Sequence, residues 1–242
     1  MSVLVGTAGW SIGSAAADSF AEAGSAIERY ATVFPVVEIN SSFYRSHRFS
    51  TWERWRDLVP QDFRFSVKIP KSISHERKLV DCEELLTPFL EQVACLGEKL
   101  GILLLQLPPK LAFEAPIADC FFHKLVSASK SQVVCEPRHP SWLGAEADQL
   151  LGRHGVARVA ADPERFPGAM TPGGWLGLHY YRLHGSPSMY RSSYRDRIGY
   201  LVERLSSEGR EERPVWCVFD NTASSAAIPD ALMLQNGLPG RA

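Results

Sequence analysis

The chain has no excess charge of either sign: 26 Lys and Arg stand against 27 Asp and Glu, a formal net charge of −1. No global field draws it to nucleic acid or to an anionic membrane, so any anion site must be a local cluster. Cysteines are few, and Cys82, Cys95, Cys120, Cys135 and Cys217 are scattered, with no C-x-x-C spacing. That argues against a disulfide framework, a zinc ribbon and an iron–sulfur cluster, and leaves reduced thiols in a core. No apolar run is long enough to span a membrane, and Met1 to Gly13 lacks the basic start of a signal peptide. A cytoplasmic protein with no membrane partner is expected. The stretch Gly6-Thr7-Ala8-Gly9-Trp10 is not G-x-G-x-x-G, and no Walker lysine follows it. No nucleotide fingerprint is present, and no cofactor is expected. A glycine-permitted turn covered by Trp10 is the simpler reading of that stretch.

What is present is ordinary globular material, with 45% hydrophobic and 22% charged residues over 242 positions. The chain is organised around Val36-Val37-Glu38-Ile39-Asn40. Branched apolar residues there make a strand that reads as buried on both faces, with a carboxylate inside it. A buried carboxylate must be paired, hydrogen-bonded or functional. The same design recurs as short apolar runs with polar residues at or near their C-terminal ends. Phe63 to Pro70 alternates, with Lys68, Ser66 and Arg64 opposite Phe65, Val67 and Ile69. Ile102 to Leu107 carries Gln106, and Gln132 to Pro140 carries Glu136 and Arg138. Val156 to Ala161 ends at Asp162, Leu178 to Gly185 carries Arg182 and His184, and Pro214 to Asn221 ends in Asp220-Asn221. Helical spacing appears over Phe20 to Phe34, around Trp52, Trp55 and Leu58, and over Leu85 to Leu100 with Gly101 as its stop. It appears again over Phe121 to Val126, around Leu150 and Leu151, over Arg197 to Leu205 and over Thr222 to Leu234.

About eight near-continuous apolar strands alternating with helices indicate a parallel sheet covered on its faces. In one domain spanning residues 1–242, this predicts an α/β fold of the TIM-type (β/α)₈ barrel class. A doubly wound open sheet is the alternative. Between Pro163 and Gly174 the chain is rich in Pro and Gly, so a loop is expected where the helix after strand six would stand. In a barrel the C-terminal strand ends share one mouth. Glu38, Asn40, Lys68, Gln106, Glu136, Arg138, Asp162, Arg182, His184, Asp220 and Asn221 are expected there.

Several of these stretches are similar to a known family. Gly6-Thr7-Ala8-Gly9-Trp10, the Glu38-Ile39-Asn40 and Phe43-Tyr44 run, and Val67-Lys68-Ile69-Pro70 resemble the DUF72 (YecE-like) family. So do Ser74-His75-Glu76-Arg77, Gln106-Leu107-Pro108, Glu136 to Trp142, Arg182-Leu183-His184-Gly185 and Phe219 to Ala223. The resemblance implies a TIM-type barrel and brings no catalytic assignment, since the family's label is a domain of unknown function. By analogy with the xylose isomerase and endonuclease IV class of barrels, it suggests metal or phosphodiester chemistry. The family's pattern has Asn where Asp230 stands.

Glu38 and Glu136 on separate strands are candidates for an acid and base pair. Their structural alternatives are salt bridges, Glu38 with Lys68 and Glu136 with Arg138. His184 is the candidate proton shuttle and shares strand parity with Arg182. His139, between prolines and of opposite parity to Glu136 and Arg138, reads as structural, and His75 as a loop histidine able to fold over the mouth. Lys68, Arg138 and Arg182 are expected to hold an anion. Asn40 and Asn221 would orient the substrate, and Tyr44, Gln106 and Asp220 would contact it. The loops at His184-Gly185-Ser186 and Asn221 to Ser224 occupy the usual phosphate position of barrels. Tyr44, Trp142, Tyr190 and Tyr194 are candidate rim aromatics, or simply cover. Glu38, Glu136, Asp162, His184 and Asp220 have the ligand types for Mg²⁺ or Mn²⁺, but lysine and arginine compete for them, and no metal site is assigned. The expected function is a hydrolase or lyase acting on a small anionic or phosphate-bearing ligand. The alternatives are a binding protein for nucleic acid or a metabolite, and a metal-dependent phosphodiesterase.

Overall fold

The computed structural model describes residues 3–209 and 213–239. In chain order its main elements are β1 (Val3–Ala8), α1 (Ala26–Ala31), β2 (Val36–Ile39), α2 (Phe49–Leu58), β3 (Arg64–Lys68) and α3 (Glu83–Val93). Then come β4 (Leu100–Gln106), α4 (Ala115–Ala128), β5 (Gln132–Glu136), α5 (Ala145–Arg153), β6 (Val156–Arg158), β7 (Ala160–Asp162) and β8 (Gly173–Gly174). The last are β9 (His179–Leu183), α6 (Ile198–Glu208), β10 (Val215–Phe219) and α7 (Ala227–Gly237).

The strands form one sheet in the order β7-β9-β10-β1-β2-β3-β4-β5-β6-β8. Every pairing is parallel except that of β8 with β6. The sheet is nearly closed, because β6 pairs with β5, β7 pairs with β9, and only Val159 separates β6 from β7. Ten strands stand where the sequence predicts about eight. The run Val156 to Ala161 splits at Val159, and Gly173–Gly174 adds a short antiparallel strand. No helix lies between Asp162 and Gly173, as the Pro and Gly content implies.

Period-2 alternation explains why these strands are apolar on both faces. Ile102 and Leu104 point into the barrel beside Val36, Val134, Tyr180, Trp216 and Val218. Leu103 and Leu105 point outward into the layer between sheet and helices, with Val37, Phe65, Val133 and Cys135. Burial of each such side chain contributes roughly 1.5–3 kcal/mol. Gly6 is required inside the barrel: a Cβ there would lie 2.2 Å from the Val36 carbonyl oxygen.

Three helix readings are corrected. The helix expected over Phe20 to Phe34 is only Ala26–Ala31, because Gly24 at φ +102° turns the chain just before it. Its start is fixed by Glu28, whose carboxylate accepts from the Ser25 N–H at 2.8 Å. The helix expected to stop at Gly101 ends at Val93, and after a 3₁₀ segment Gly97 (φ +57°) redirects the chain. Gly101 instead lies in β4, where a Cβ would meet the Trp216 ring at 3.2 Å. The helix read over Phe121 to Val126 runs from Ala115 to Ala128, with Pro116 in its first turn. All five cysteines are free thiols. No helix among the described residues is long and apolar enough to cross a membrane.

Candidate functional site

Register brings the inward polar residues to one end of the barrel. Ala8 pairs with Glu38 and Glu38 with Ser66, while Gln106 pairs with Glu136 and Val218 with Arg182. Arg182, Glu38 and Glu136 are fully buried.

Arg182 is the hub. Its Nε donates to Glu38 Oε2 at 2.9 Å, and its Nη2 donates to Glu38 Oε1 at 2.6 Å and to Asp220 Oδ2 at 2.9 Å. Its Nη1 donates to Glu136 Oε2. One guanidinium from β9 therefore meets carboxylates from β2 and β5 and the one just past β10, the planar fork geometry for which arginine is suited. Burial opposes the charge on Arg182, but Glu38, Glu136 and Asp220 outweigh it and raise its pKa well above the usual value. Burial likewise opposes the charge on Glu136, yet Arg138, Arg182 and His184 hold it well below the ordinary carboxylate range. Asp220 is lowered against its burial by Arg182 and His184. The Tyr180 hydroxyl lies 2.8 Å from Glu38 Oε2 and 2.9 Å from Ser66 Oγ.

His184 sits between two carboxylates, with Nδ1 3.0 Å from Asp220 Oδ2 and Nε2 3.1 Å from Glu136 Oε1. A neutral ring donates to one of these oxygens, the doubly protonated ring to both. Arg138 Nε donates to Glu136 Oε1 at 2.7 Å, and Gln106 Nε2 donates to the same oxygen at 3.2 Å. Tyr190 lies edge-on over His184, with ring centroids 5.7 Å apart.

Lys68 stands differently. No carboxylate lies within 4.0 Å of it among the described residues, and its Nζ is 4.1 Å from the centroid of the Phe43 ring. Burial, with the like charge of Arg182, lowers its pKa to about 8, against the opposing pull of Glu136, Glu38 and Asp220. His75 packs edge-on against the same Phe43 ring at 5.0 Å. Asn40 donates to Asp220 Oδ1 at 3.5 Å, and its own buried Oδ1 has no hydrogen-bond partner among the described residues. Beside Phe43 a groove of about 320 Å³ opens, lined by Ser42, Tyr44, His47, Pro70 and Ser72 among others.

The structure thus gathers Glu38, Asn40, Lys68, Gln106, Glu136, Arg138, Arg182, His184 and Asp220 into one cluster, while four other expectations change. Glu38 pairs with Arg182 and not with Lys68. Asp162 turns away from the mouth, accepting from Arg197 at 3.0 and 2.8 Å and from Tyr194 at 2.7 Å. Asn221 also turns away, donating to the Ser192 carbonyl at 3.0 Å and to Asp230 at 2.7 Å. Of the rim aromatics, Trp142 and Tyr194 are buried in the outer layer, and Tyr44 is 72% exposed at the groove. Parity explains the two polar reversals, since Ala161 and Asp220 point inward and their C-terminal neighbours outward. The same counting would have found Tyr180, which shares a face with Arg182 and His184. His139 is structural, its Nδ1 accepting from the Ser141 N–H at 3.3 Å. Trp10 packs edge-on against Trp55 at 5.1 Å.

Among the described residues, no group of three or more His, Cys, Asp or Glu side chains is set to hold a metal ion. Both oxygens of Glu38 and both of Glu136 already accept from arginine, so a cation would have to displace a guanidinium.

The family model described as protein of unknown function DUF72 matches residues 4–241. The UPF0759 protein YecE of Escherichia coli (strain K12) is 35% identical over 144 residues, covering 57% of this chain and 52% of the relative. Its counterpart in Escherichia coli O157:H7 is 34% identical over 144 residues, with shares of 57% and 52%. The chain spans about half the length of these curated relatives. A DUF72 family protein from Enterococcus faecalis V583 superposes with a TM-score of 0.80 at 21% identity, covering 100% of this chain and 97% of that one. Another, from Thermotoga maritima MSB8, gives a TM-score of 0.80 at 24% identity, covering 98% of each chain.

Proposed function

Because the chain belongs to the DUF72 family, described as proteins of unknown function, we propose a function for it from the chemistry of its own strand-end mouth. The mouth binds a small anionic, phosphate-bearing or carboxylate substrate and acts on it as a hydrolase or lyase. The observation that carries this reading is the asymmetry of charge pairing. Glu38, Glu136 and Asp220 are all held by Arg182, whereas Lys68 has no carboxylate within 4.0 Å among the described residues. A bound anion would supply the missing counter-charge to a lysine that is otherwise costly to keep charged.

Within this reading Lys68 and Arg138 hold the anion, and Asn40 and Gln106 orient the substrate. Glu38 serves mainly to fix Arg182. Glu136, held ionised, is a poor acid, and its contacts suit it to orient His184 and balance a proton there. His184 is the group placed to carry that proton. Tyr44 and the groove beside Phe43 receive the remainder of the substrate. Asn221 supports the site from outside by tying the loop after β9 to α7.

Thermal unfolding in the presence of inorganic phosphate, sugar phosphates, nucleotides and small carboxylates tests the reading. Stabilisation by at least one of these anions is expected in the wild type and not in Lys68→Met. If none stabilises the wild type, or if Lys68→Met responds equally, the reading fails. Stoichiometric binding with no turnover in hydrolase and lyase panels would support the non-catalytic binding protein instead.

A further inference from the structure

Tyr190 holds a backbone conformation that a bulky residue rarely adopts. Its φ is +64°, in the left-handed region where a Cβ crowds the neighbouring carbonyl oxygen. Leu79, at φ +73°, carries the same penalty but buries its side chain in the core. Tyr190 gains no such burial, since 38% of it remains exposed.

The loop that carries it is tied down. The Tyr190 N–H donates to the His184 carbonyl, and the Tyr190 carbonyl accepts from the Ala223 N–H at 3.0 Å. Asn221 Nδ2 and Ser224 Oγ donate to the carbonyls of Ser192 and Arg191. These bonds set residues 189 and 190 against the mouth. Met189 lines a small cavity together with Glu136, Arg138 and His184. The Tyr190 ring stands edge-on to His184 at 5.7 Å, and His184 Nε2 is itself 3.3 Å from Arg138 Nη2.

The hydroxyl groups separate Tyr190 from most of the seven tyrosines. Those of Tyr30, Tyr180, Tyr181, Tyr194 and Tyr200 are bonded within the protein. Those of Tyr44 and Tyr190 have no hydrogen-bond partner among the described residues, and of these two only Tyr190 stands over the charged cluster. Burial opposes the charge on Arg138, but Glu136 and the ionised form of the Tyr190 phenol favour it, so the phenol lies within electrostatic reach of the guanidinium. A free phenol O–H beside an arginine is placed to donate to an anion which that arginine holds.

We propose that Tyr190 is a substrate-binding residue, its ring walling the mouth above His184 and its hydroxyl donating a hydrogen bond to the anion at Arg138. The proposal deepens the anion-binding reading and rests on it. It also gives the backbone conformation a role, since residues held at a cost without burial in return cluster at ligand clamps. Donors on both Tyr190 and Arg138 suit an anion with more than one acceptor oxygen, such as phosphate or carboxylate.

The test is isothermal titration of the full chain with inorganic phosphate, beside melting temperatures measured without ligand. Tyr190→Phe keeps the ring and removes only the hydroxyl. It should melt as the wild type does and bind phosphate roughly tenfold more weakly, the usual weight of a hydrogen bond to a charged group. Glycine adopts φ +64° without penalty. Tyr190→Gly should therefore melt no lower than the wild type while binding phosphate at least as weakly as Tyr190→Phe. Wild-type affinity in either variant overturns the proposal. So does a fall of more than about 5 °C in the melting temperature of Tyr190→Gly, which would show a ring held for packing. Lys68→Met separates the two readings. If it loses phosphate while both Tyr190 variants bind normally, the Tyr190 proposal fails alone. If the wild type binds neither phosphate nor sugar phosphates, nucleotides or small carboxylates, the anion-binding reading fails and this proposal with it.

Discussion

Arg182 and Glu38 meet inside the barrel as a two-pronged pair, Nε to Oε2 at 2.9 Å and Nη2 to Oε1 at 2.6 Å, with neither residue exposed. The pair joins β9 to β2, which are separated in the sheet by β10 and β1. Through Glu136 the same guanidinium reaches β5 on the other side of the barrel. The mouth is therefore a cross-tie as well as a pocket, and its carboxylates are committed before any ligand arrives.

Arg182→Met leaves three carboxylates without their principal counter-charge. Breaking a buried ion pair from one side typically costs about 3–5 kcal/mol, and a loss of that size is expected in urea unfolding. A loss under about 1 kcal/mol would mean that the network is not a structural tie.

Acid should weaken the fold for a stated reason. Glu136 and Asp220 have folded pKa values below their unfolded ones. The unfolded chain therefore binds more protons as pH falls, and stability declines with it. Their contribution is complete above the unfolded values near 4 and is lost as pH drops through the lower folded ones. Melting temperature measured from pH 7 to pH 3 should fall steeply below about pH 4, and less steeply in Asp220→Asn.

Lys68 gives the opposite slope. Its folded pKa of about 8 lies below the ordinary lysine value of 10.5, so between those limits the unfolded chain binds the extra proton and stability rises with pH. Below pH 8 the buried ammonium costs on the order of 3 kcal/mol, by the conversion of a pKa difference to energy. Lys68→Met should therefore melt higher than the wild type at pH 7 without ligand, and should lose the rise above pH 8. A lower melting temperature at pH 7 would show that Lys68 is held for stability.

The Asp162, Arg197 and Tyr194 cluster should affect the fold alone. Asp162→Ala removes the acceptor of three hydrogen bonds outside the barrel, and a loss of about 1–3 kcal/mol is expected. Isothermal titration with an anion that stabilises the wild type should give an unchanged affinity. A tenfold weaker affinity would place Asp162 back in the mouth.

Much of this was legible in the sequence. Glu38 advertises itself as a charge within an apolar strand, and the polar strand ends converge because parallel strands close toward a barrel. Strand parity carries part of the site as well. It separates Arg182, His184 and Tyr180 from their neighbours, and it turns Asp162 and Asn221 outward. What it could not supply is reach. Lys68 lies on the neighbouring strand, two residues beyond Ser66, the register partner of Glu38, yet the longer guanidinium of Arg182 crosses the interior to take that carboxylate. Parity says which face a side chain leaves from and nothing about where a flexible stem ends. The split of the sixth run at Val159 was hidden because no Gly or Pro marks it and Val156-Ala157 and Ala160-Ala161 read as one strand.

The most direct test of the anion-binding account is a crystal structure of the protein soaked in tungstate, with the metal located by anomalous scattering. The account predicts a peak within hydrogen-bonding reach of the Lys68 ammonium and on the Arg138 side of the mouth, absent from crystals of Lys68→Met. Tungstate bound only at exposed arginines, with the Lys68 ammonium left facing Phe43 alone, would contradict it.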